Sequence, residues 1–321
     1  MDLNRKLKIF RCALESGATP FASLFVTRRC PLHCAYCSAR RDAPGPELST
    51  DDWKRAMKKL HGFGVRHMAF NGGEPLLRED IGELIAYAAH DLSCITWLFT
   101  SLTSLDDPLL GRLKHLDFLS ASIDGLSGAG PRSDPAIFER LARCATHGIT
   151  PAVLATVTAD NVKGTLALAR ECLALNIFFD FVLVQTHGGA FSTQTGKRPD
   201  SADLKPLFRE LSALRAKTGK VLASYKLLRE AAEFYRRNNW KCPMTQDPFI
   251  AVDADGRLMP CQEYATDLTI FDVENLRDPR WRKAKRTVIE KCPGCSAVYN
   301  YQKTFRNPFD LLKESVALLR F

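Results

Sequence analysis

Three cysteines fall within eight residues in Cys30-Pro-Leu-His-Cys34-Ala-Tyr-Cys37, directly after an apolar, strand-like stretch at 22–26. Thiolates so placed can grip three corners of a cubic iron–sulfur cluster and leave the fourth iron open to a ligand that is not protein. The spacing alone also admits part of a zinc site or three reduced structural cysteines. Far along the chain, Cys242, Cys261 and the pair in Cys292-Pro-Gly-Cys295 supply four more thiolates. They make a tetrahedral set for zinc or for an iron–sulfur cluster, and their spacing does not separate the two. Cys12, Cys94, Cys144 and Cys172 have no companions at metal spacing and read as core, since free cysteine is among the most buried residue types.

Between the two sets lies Asn71-Gly72-Gly73-Glu74-Pro75, after a short apolar run at 67–70. Paired glycines let the main chain approach a ligand with no side chain in the way, and Glu74 offers an acceptor for an ammonium group. A Gly-rich loop, Gln185-Thr-His187-Gly-Gly-Ala-Phe191, makes Gln185 and His187 candidate substrate contacts, against the plainer reading of a solvated loop histidine.

The elements that must position these residues alternate regularly. Strands are expected over 22–27, 66–70, 94–100, 117–123, 152–157 and 177–184, with helices over 51–60, 79–90, 108–115, 162–175 and 202–217 between and after them. Ser49 or Thr50 caps the first of these helices, and Asp134-Pro135 reads as a cap followed by proline at the first helical position. Six strands each followed by a helix imply parallel pairing and a fully or partly closed barrel with its site at the strands' C-terminal ends. The opening segment 1–20 reads as a basic amphipathic helix with Leu3, Leu7, Phe10 and Leu14 covering an end of the domain. A further helix over 225–237 leads to a hairpin signature, apolar runs on either side of Asp255-Gly256, with Cys261 near its base. A last helix, 309–320, carries Phe309, Leu312, Val316 and Leu319 in one stripe, suited to docking on the barrel or to lying at a lipid interface.

Composition sets the outer bounds. The 321 residues, 45% of them hydrophobic, suffice for one large core and an appended module, and 25% charged residues without a long biased run argue against disorder. A net charge of +9 would suit an anionic partner, but the cations are scattered, which favours a solvated surface over a nucleic-acid groove. Eleven cysteines without a secretory signal point to a reducing, cytoplasmic setting, and no stretch reaches the roughly eighteen apolar residues that a membrane span needs.

Together, the CxxxCxxC run after a first strand and Gly72-Gly-Glu-Pro75 after a second resemble the radical S-adenosylmethionine (SAM) superfamily. The resemblance implies a 4Fe-4S cluster on Cys30, Cys34 and Cys37, whose open iron is chelated by SAM, and a six-unit partial (β/α) barrel. By position it places Tyr36 near the adenine and gives the methionine amino group to Gly72, Gly73, Glu74 and Pro75. Ser120-Ala-Ser122-Ile-Asp124-Gly125 resembles a segment of many members, in which Ser122 and Asp124 could bond a ribose, although Asp-Gly is also an ordinary turn. Arg132 is a candidate partner for the SAM carboxylate, because guanidinium pairs with carboxylate through two bonds. The later cysteines resemble a twitch domain, the shortened form of the SPASM extension, with an auxiliary 4Fe-4S cluster on Cys242, Cys261, Cys292 and Cys295. The implied division is a helix at 1–20, a radical SAM core at 21–224, a twitch domain of hairpin and helix at 225–306 and a final helix at 307–321.

The implied chemistry is reductive cleavage of SAM to a 5'-deoxyadenosyl radical, which takes hydrogen from an unactivated carbon, with net oxidation through the auxiliary cluster. The short segment ahead of the core favours a small molecule or lipid as substrate. Modification of a peptide or protein side chain, RNA modification, and an iron–sulfur electron carrier are the alternatives. A reducing partner such as flavodoxin or ferredoxin, and a peripheral membrane contact through the last helix, complete the expectations.

Overall fold

The computed structural model describes residues 3–15, 21–37, 39, 45–103, 105–126, 132–184, 198–237 and 249–292. Gln185, His187, Cys242, Cys295 and the expected helix at 309–320 lie outside the described residues.

Apolar and β-branched runs form the expected parallel strands β1 (Phe21–Thr27), β2 (His67–Gly72), β3 (Ile95–Thr100), β4 (Phe118–Ser122), β5 (Thr150–Val157) and β6 (Phe178–Leu183). Between and after them run α2 (Thr50–Gly62), α3 (Ile81–Ala86), α4 (Asp107–Arg112), α5 (Ile137–Thr146), α6 (Val162–Ala174) and α7 (Ser201–Thr218). Sequential strands lie side by side, and α8 (Tyr225–Arg237) then leads toward a hairpin, β7 (Phe249–Val252) and β8 (Leu258–Met259), that turns at Gly256 with φ of +86°. That hairpin joins the core sheet. β7 pairs in parallel with β1, Phe21 opposite Phe249 and Leu24 opposite Val252, giving the order β6-β5-β4-β3-β2-β1-β7-β8. The α/β expectation holds, as a partial barrel whose two ends are not paired with each other among the described residues.

Strand alternation divides the sheet into two faces. Leu24, Met68, Leu98, Leu119, Val153 and Phe179 join the helices in the main core, with Trp53 and Met57 of α2, Leu141 of α5 and Phe208 of α7. On the opposite face Phe21, Phe25, Ala69, Phe249, Ala251 and Met259 form a second, smaller cluster.

Three sequence expectations are corrected. Ser49 does cap α2, its hydroxyl accepting from the Asp52 N–H, but Asp134 does not cap α5. Its carboxylate accepts from the Ala136 N–H at 3.0 Å, an Asx turn that holds 134–136 outside a helix beginning at Ile137. The helix expected over 79–90 is α-helical only to Ala86 and widens into a π-helical turn, Tyr87–Asp91, where Leu92 N–H reaches back to the Tyr87 carbonyl. The first helix, α1 (Leu3–Glu15), faces the other way from its expected orientation. Lys8 binds Asp117 at 2.6 Å, Arg5 donates to Thr150 and Gly148, and Cys12 is buried beneath them. Leu7, Phe10 and Leu14 are 56%, 64% and 71% exposed. The surface under α1 offers a carboxylate and a carbonyl, so the helix docks by its cations.

No described helix is long and apolar enough to cross a membrane.

Candidate functional site

The three cysteines of the first motif leave the C-terminal end of β1, and the base of their loop is held tightly. Glu47 accepts from the Thr27 hydroxyl at 2.6 Å and from the Arg28 N–H at 3.1 Å, while Arg78 donates to the Val26 carbonyl and forms a two-bond pair with Asp80. The Gly-Gly turn clamps the same segment. Gly73 N–H donates to the Thr27 carbonyl and Glu74 N–H to the Arg29 carbonyl, both at 2.7 Å. A Cβ on Gly72 would sit inside the Thr27 carbonyl oxygen, and one on Gly73 inside that of Arg29. The glycines therefore admit the chain's own main chain, where the sequence suggested room for a ligand.

Glu74 is likewise committed. It is 3% exposed, one carboxylate oxygen accepting from the Thr100 hydroxyl and the Leu76 N–H, the other from the Ser101 N–H and hydroxyl. Four donors occupy its lone pairs, so the side chain is not the free ammonium acceptor expected from sequence. It ties the turn to the end of β3, and Pro75 begins the short 3-10 turn that follows.

Cys30, Cys34 and Cys37 are each partly exposed, with Cys37 N–H closing a turn onto the Cys34 carbonyl at 3.0 Å. Burial pushes the Cys30 and Cys34 thiols up; at Cys34 the Arg132 guanidinium opposes it. A metal centre would supply the positive charge that burial leaves wanting. Among the described residues no three His, Cys, Asp or Glu side chains converge on a single ion. Thiolates around a cubane bind different irons and stand farther apart than that.

Beside them sits a charged aromatic corner. The Tyr36 hydroxyl donates to one Asp124 oxygen, and the other accepts from the Thr156 N–H at 2.7 Å. The Arg132 guanidinium lies 5.4 Å from the Tyr36 ring centroid, and its carbonyl receives the Asp124 N–H. Burial pushes the Tyr36 hydroxyl and the Asp124 carboxyl up, and Arg132 acts against both. Asp124 thus positions Tyr36, a role its place in an Asp-Gly turn did not suggest. Ser122 is buried at the end of β4 below it. Arg132 Nε is buried without a hydrogen-bond partner. That orphaned donor fits an anionic ligand, and its partner in this corner is the sort of group a cofactor carboxylate provides.

Of the second cysteine set, Cys261 and Cys292 lie among the described residues, in segments that reach the face of the sheet opposite the main core. Cys261 follows β8, Cys292 ends α9 (Pro279–Lys291), and Ala39, Cys261 and Ile289 all pack on the Phe21–Phe25–Met259 cluster. Arg28 links the two segments. It is 2% exposed, donates to Asp253 at 2.6 Å and to the Ala39 carbonyl at 3.1 Å, and lies 4.3 Å from the Phe25 ring centroid. Sequence reasoning missed Arg28, Glu47, Arg78 and Asp253. Their contacts join residues up to 225 positions apart, and no local pattern marks them.

The profile of the Radical SAM superfamily matches residues 24–159, the span holding the cysteine loop, the clamped glycine turn and the Tyr36 corner. These residues thus form a radical SAM domain, which implies a 4Fe-4S cluster and SAM. Among curated proteins it is similar to the PqqA peptide cyclase of Bradyrhizobium diazoefficiens, with 28% identity over 83% of this chain and 73% of the relative. Among solved structures it resembles Streptococcus suis SuiB bound to S-adenosylmethionine, at a TM-score of 0.66, 16% identity, 88% of this chain and 72% of that one. It also resembles anSMEcpe with bound AdoMet and the Cp18Cys peptide, at a TM-score of 0.58, 17% identity and 88% of both chains. At these identities the two structural likenesses speak for the fold alone.

Proposed function

We propose that this enzyme modifies a side chain of a peptide or protein by abstracting a hydrogen atom from carbon. The observation that carries this reading is the similarity to a peptide cyclase over 83% of the chain. A small molecule or lipid, the substrate class expected from sequence, has no such support.

When bound, the cluster and SAM supply a carbon radical that removes the hydrogen. Cys30, Cys34 and Cys37 hold the cluster, on a loop that Glu47, Arg78 and the glycine clamp keep in place. The Arg132 guanidinium, whose Nε is orphaned, would take the cofactor's carboxylate. Tyr36, fixed by Asp124, would serve the adenine and Ser122 the ribose. Main-chain carbonyls of the Gly72–Pro75 turn would receive the methionine amino group, since the Glu74 carboxylate is full. Cys242, Cys261, Cys292 and Cys295 would hold an auxiliary 4Fe-4S cluster in a twitch domain, and such a cluster would supply a one-electron acceptor for a net oxidation.

Anaerobically reconstituted protein reduced with dithionite is expected to form 5'-deoxyadenosine from SAM, and a variant with Cys30, Cys34 and Cys37 all changed to Ala is not. With extract from cells grown in deuterium, label is expected in 5'-deoxyadenosine from the peptide fraction, and protease treatment should abolish it. Label from a protease-resistant small-molecule fraction would overturn the peptide reading. Iron content tests the second site: Cys261→Ala with Cys292→Ala should lose one cluster's iron and keep the other.

A further inference from the structure

The side chains of β6 sort cleanly between its two faces. Phe179, Phe181 and Leu183 enter the main core against α7, where the Phe181 and Phe208 rings stack at 5.2 Å. Phe178, Asp180 and Val182 therefore face the barrel interior. Here the wall is open: Val182 is 37% exposed, and Phe178, Asp180 and Leu154 of β5 are half-buried. At the other end of the sheet the same face is closed, with Phe21, Phe25 and Phe249 all under 9% exposed.

Register sets the height of Asp180 on this wall. Ser122 of β4 stands opposite Leu154, and Leu154 opposite Asp180, so the carboxyl lies level with Ser122, two residues before Asp124 in the Tyr36 corner. Among the described residues its hydrogen bond is to the N–H of the next residue, Phe181, at 2.9 Å. Nη1 of the Arg215 guanidinium, the charge that acts on it, donates to the Val221 and Ala223 carbonyls. The Lys220 ammonium lies 5.9 Å from the Phe178 ring centroid, on the neighbouring side chain of the wall. Burial pushes the Asp180 carboxyl up to about 7. Among the described residues, then, this carboxyl on the open wall has no hydrogen-bonded cation.

We infer that Asp180 reads the substrate by binding a cationic side chain, ammonium or guanidinium, of the peptide that enters along the β5–β6 wall. This rests on the peptide reading above for the identity of the ligand and on the strand geometry for its place. A cationic group supplies the missing counter-charge and holds Asp180 ionised, and a neutral isostere cannot. The selected side chain is then anchored level with the strand ends at which the cofactor site is built.

The test is infrared difference spectroscopy of the reconstituted, SAM-loaded holoenzyme at neutral pH. The probes are Nα-acetyl-lysine methylamide and its neutral counterpart, Nα-acetyl-norleucine methylamide. The lysine probe is expected to remove a protonated-carboxyl band in a saturable way; Asp180→Asn should lack that band, and Asp180→Glu, which keeps the acid, should retain a response. No response to lysine, or an equal one to norleucine, would overturn the inference. Peptide pools grouped by side-chain charge give a second readout. Lys- and Arg-containing pools should stimulate 5'-deoxyadenosine formation most, and Asp180→Asn should raise their apparent KM by about tenfold with kcat less affected. Basic pools that stimulate no better than neutral ones, or a preference that survives in Asp180→Asn, would also overturn it. If deuterium transfer assigns the substrate to small molecules, the peptide reading falls, and the infrared response still judges Asp180 by itself.

Discussion

Around β1 the face of the sheet opposite the main core is packed ring against ring, Phe21 stacked on Phe249 at 5.7 Å and edge-on to His67 at 4.6 Å. On β6 that same face carries Phe178, Asp180 and Val182, half-buried to exposed. One scaffold of parallel strands thus serves two demands. A cofactor that generates a radical needs loops that do not move, and the first two strands supply them through main-chain clamps and buried ions. A substrate needs room, and β6 leaves it.

Breaking the clamp should have the largest effect. Gly72→Ala sets a Cβ against the Thr27 carbonyl at a residue with φ of +140°. It is expected to cost ~3 kcal/mol or more in chemical denaturation and to abolish cluster loading, read from iron content and visible absorbance. Next comes Asp253→Ala, which takes the carboxylate away from the buried Arg28 guanidinium. A loss of about 3–5 kcal/mol is expected; a loss below ~1 kcal/mol would show the pair to be solvated. Glu74→Gln replaces an acceptor with an amide that faces four donors, for about 1–3 kcal/mol in the same assay, while Asp180→Asn on the open wall should instead be tolerated.

That last contrast carries a sign in pH. Folded, Asp180 keeps its proton up to about pH 7; unfolded, it releases it in the ordinary carboxylate range. Between those limits the folded chain binds more protons, so this residue's contribution to stability falls as pH rises through the window. Asp180→Asn should flatten the slope and stabilise the protein at neutral pH by ~1 kcal/mol, seen as a denaturation midpoint that depends less on pH. An unchanged slope would place Asp180 in solvent.

Much of the site was legible because its signals are local. The spacing of Cys30, Cys34 and Cys37, the Gly72-Gly73 pair after a strand and the β/α alternation each sit within a short window of sequence. What escaped depends on distant partners. The apolar period of α1 announced a stripe but not its direction, which Asp117, more than a hundred residues later, decides through Lys8. The paired glycines suggest space for a ligand, whereas the crowding atoms belong to Thr27 and Arg29. The Asp255-Gly256 turn revealed a hairpin, yet nothing in it pointed to β1 as its neighbour.

That neighbour has a consequence for how the protein is made. β1 pairs with β2 early, but its other edge waits for β7, and Asp253 trails Arg28 by 225 residues. At ~5–20 residues per second, that interval is roughly ten to forty-five seconds of synthesis. Throughout it, the strand that leads into the first cysteine motif shows a bare, apolar edge on the ribosome, open to strand-pairing partners. Chaperone cover over this strand during translation, and iron delivery only after release, would follow from the order in which the sheet is completed.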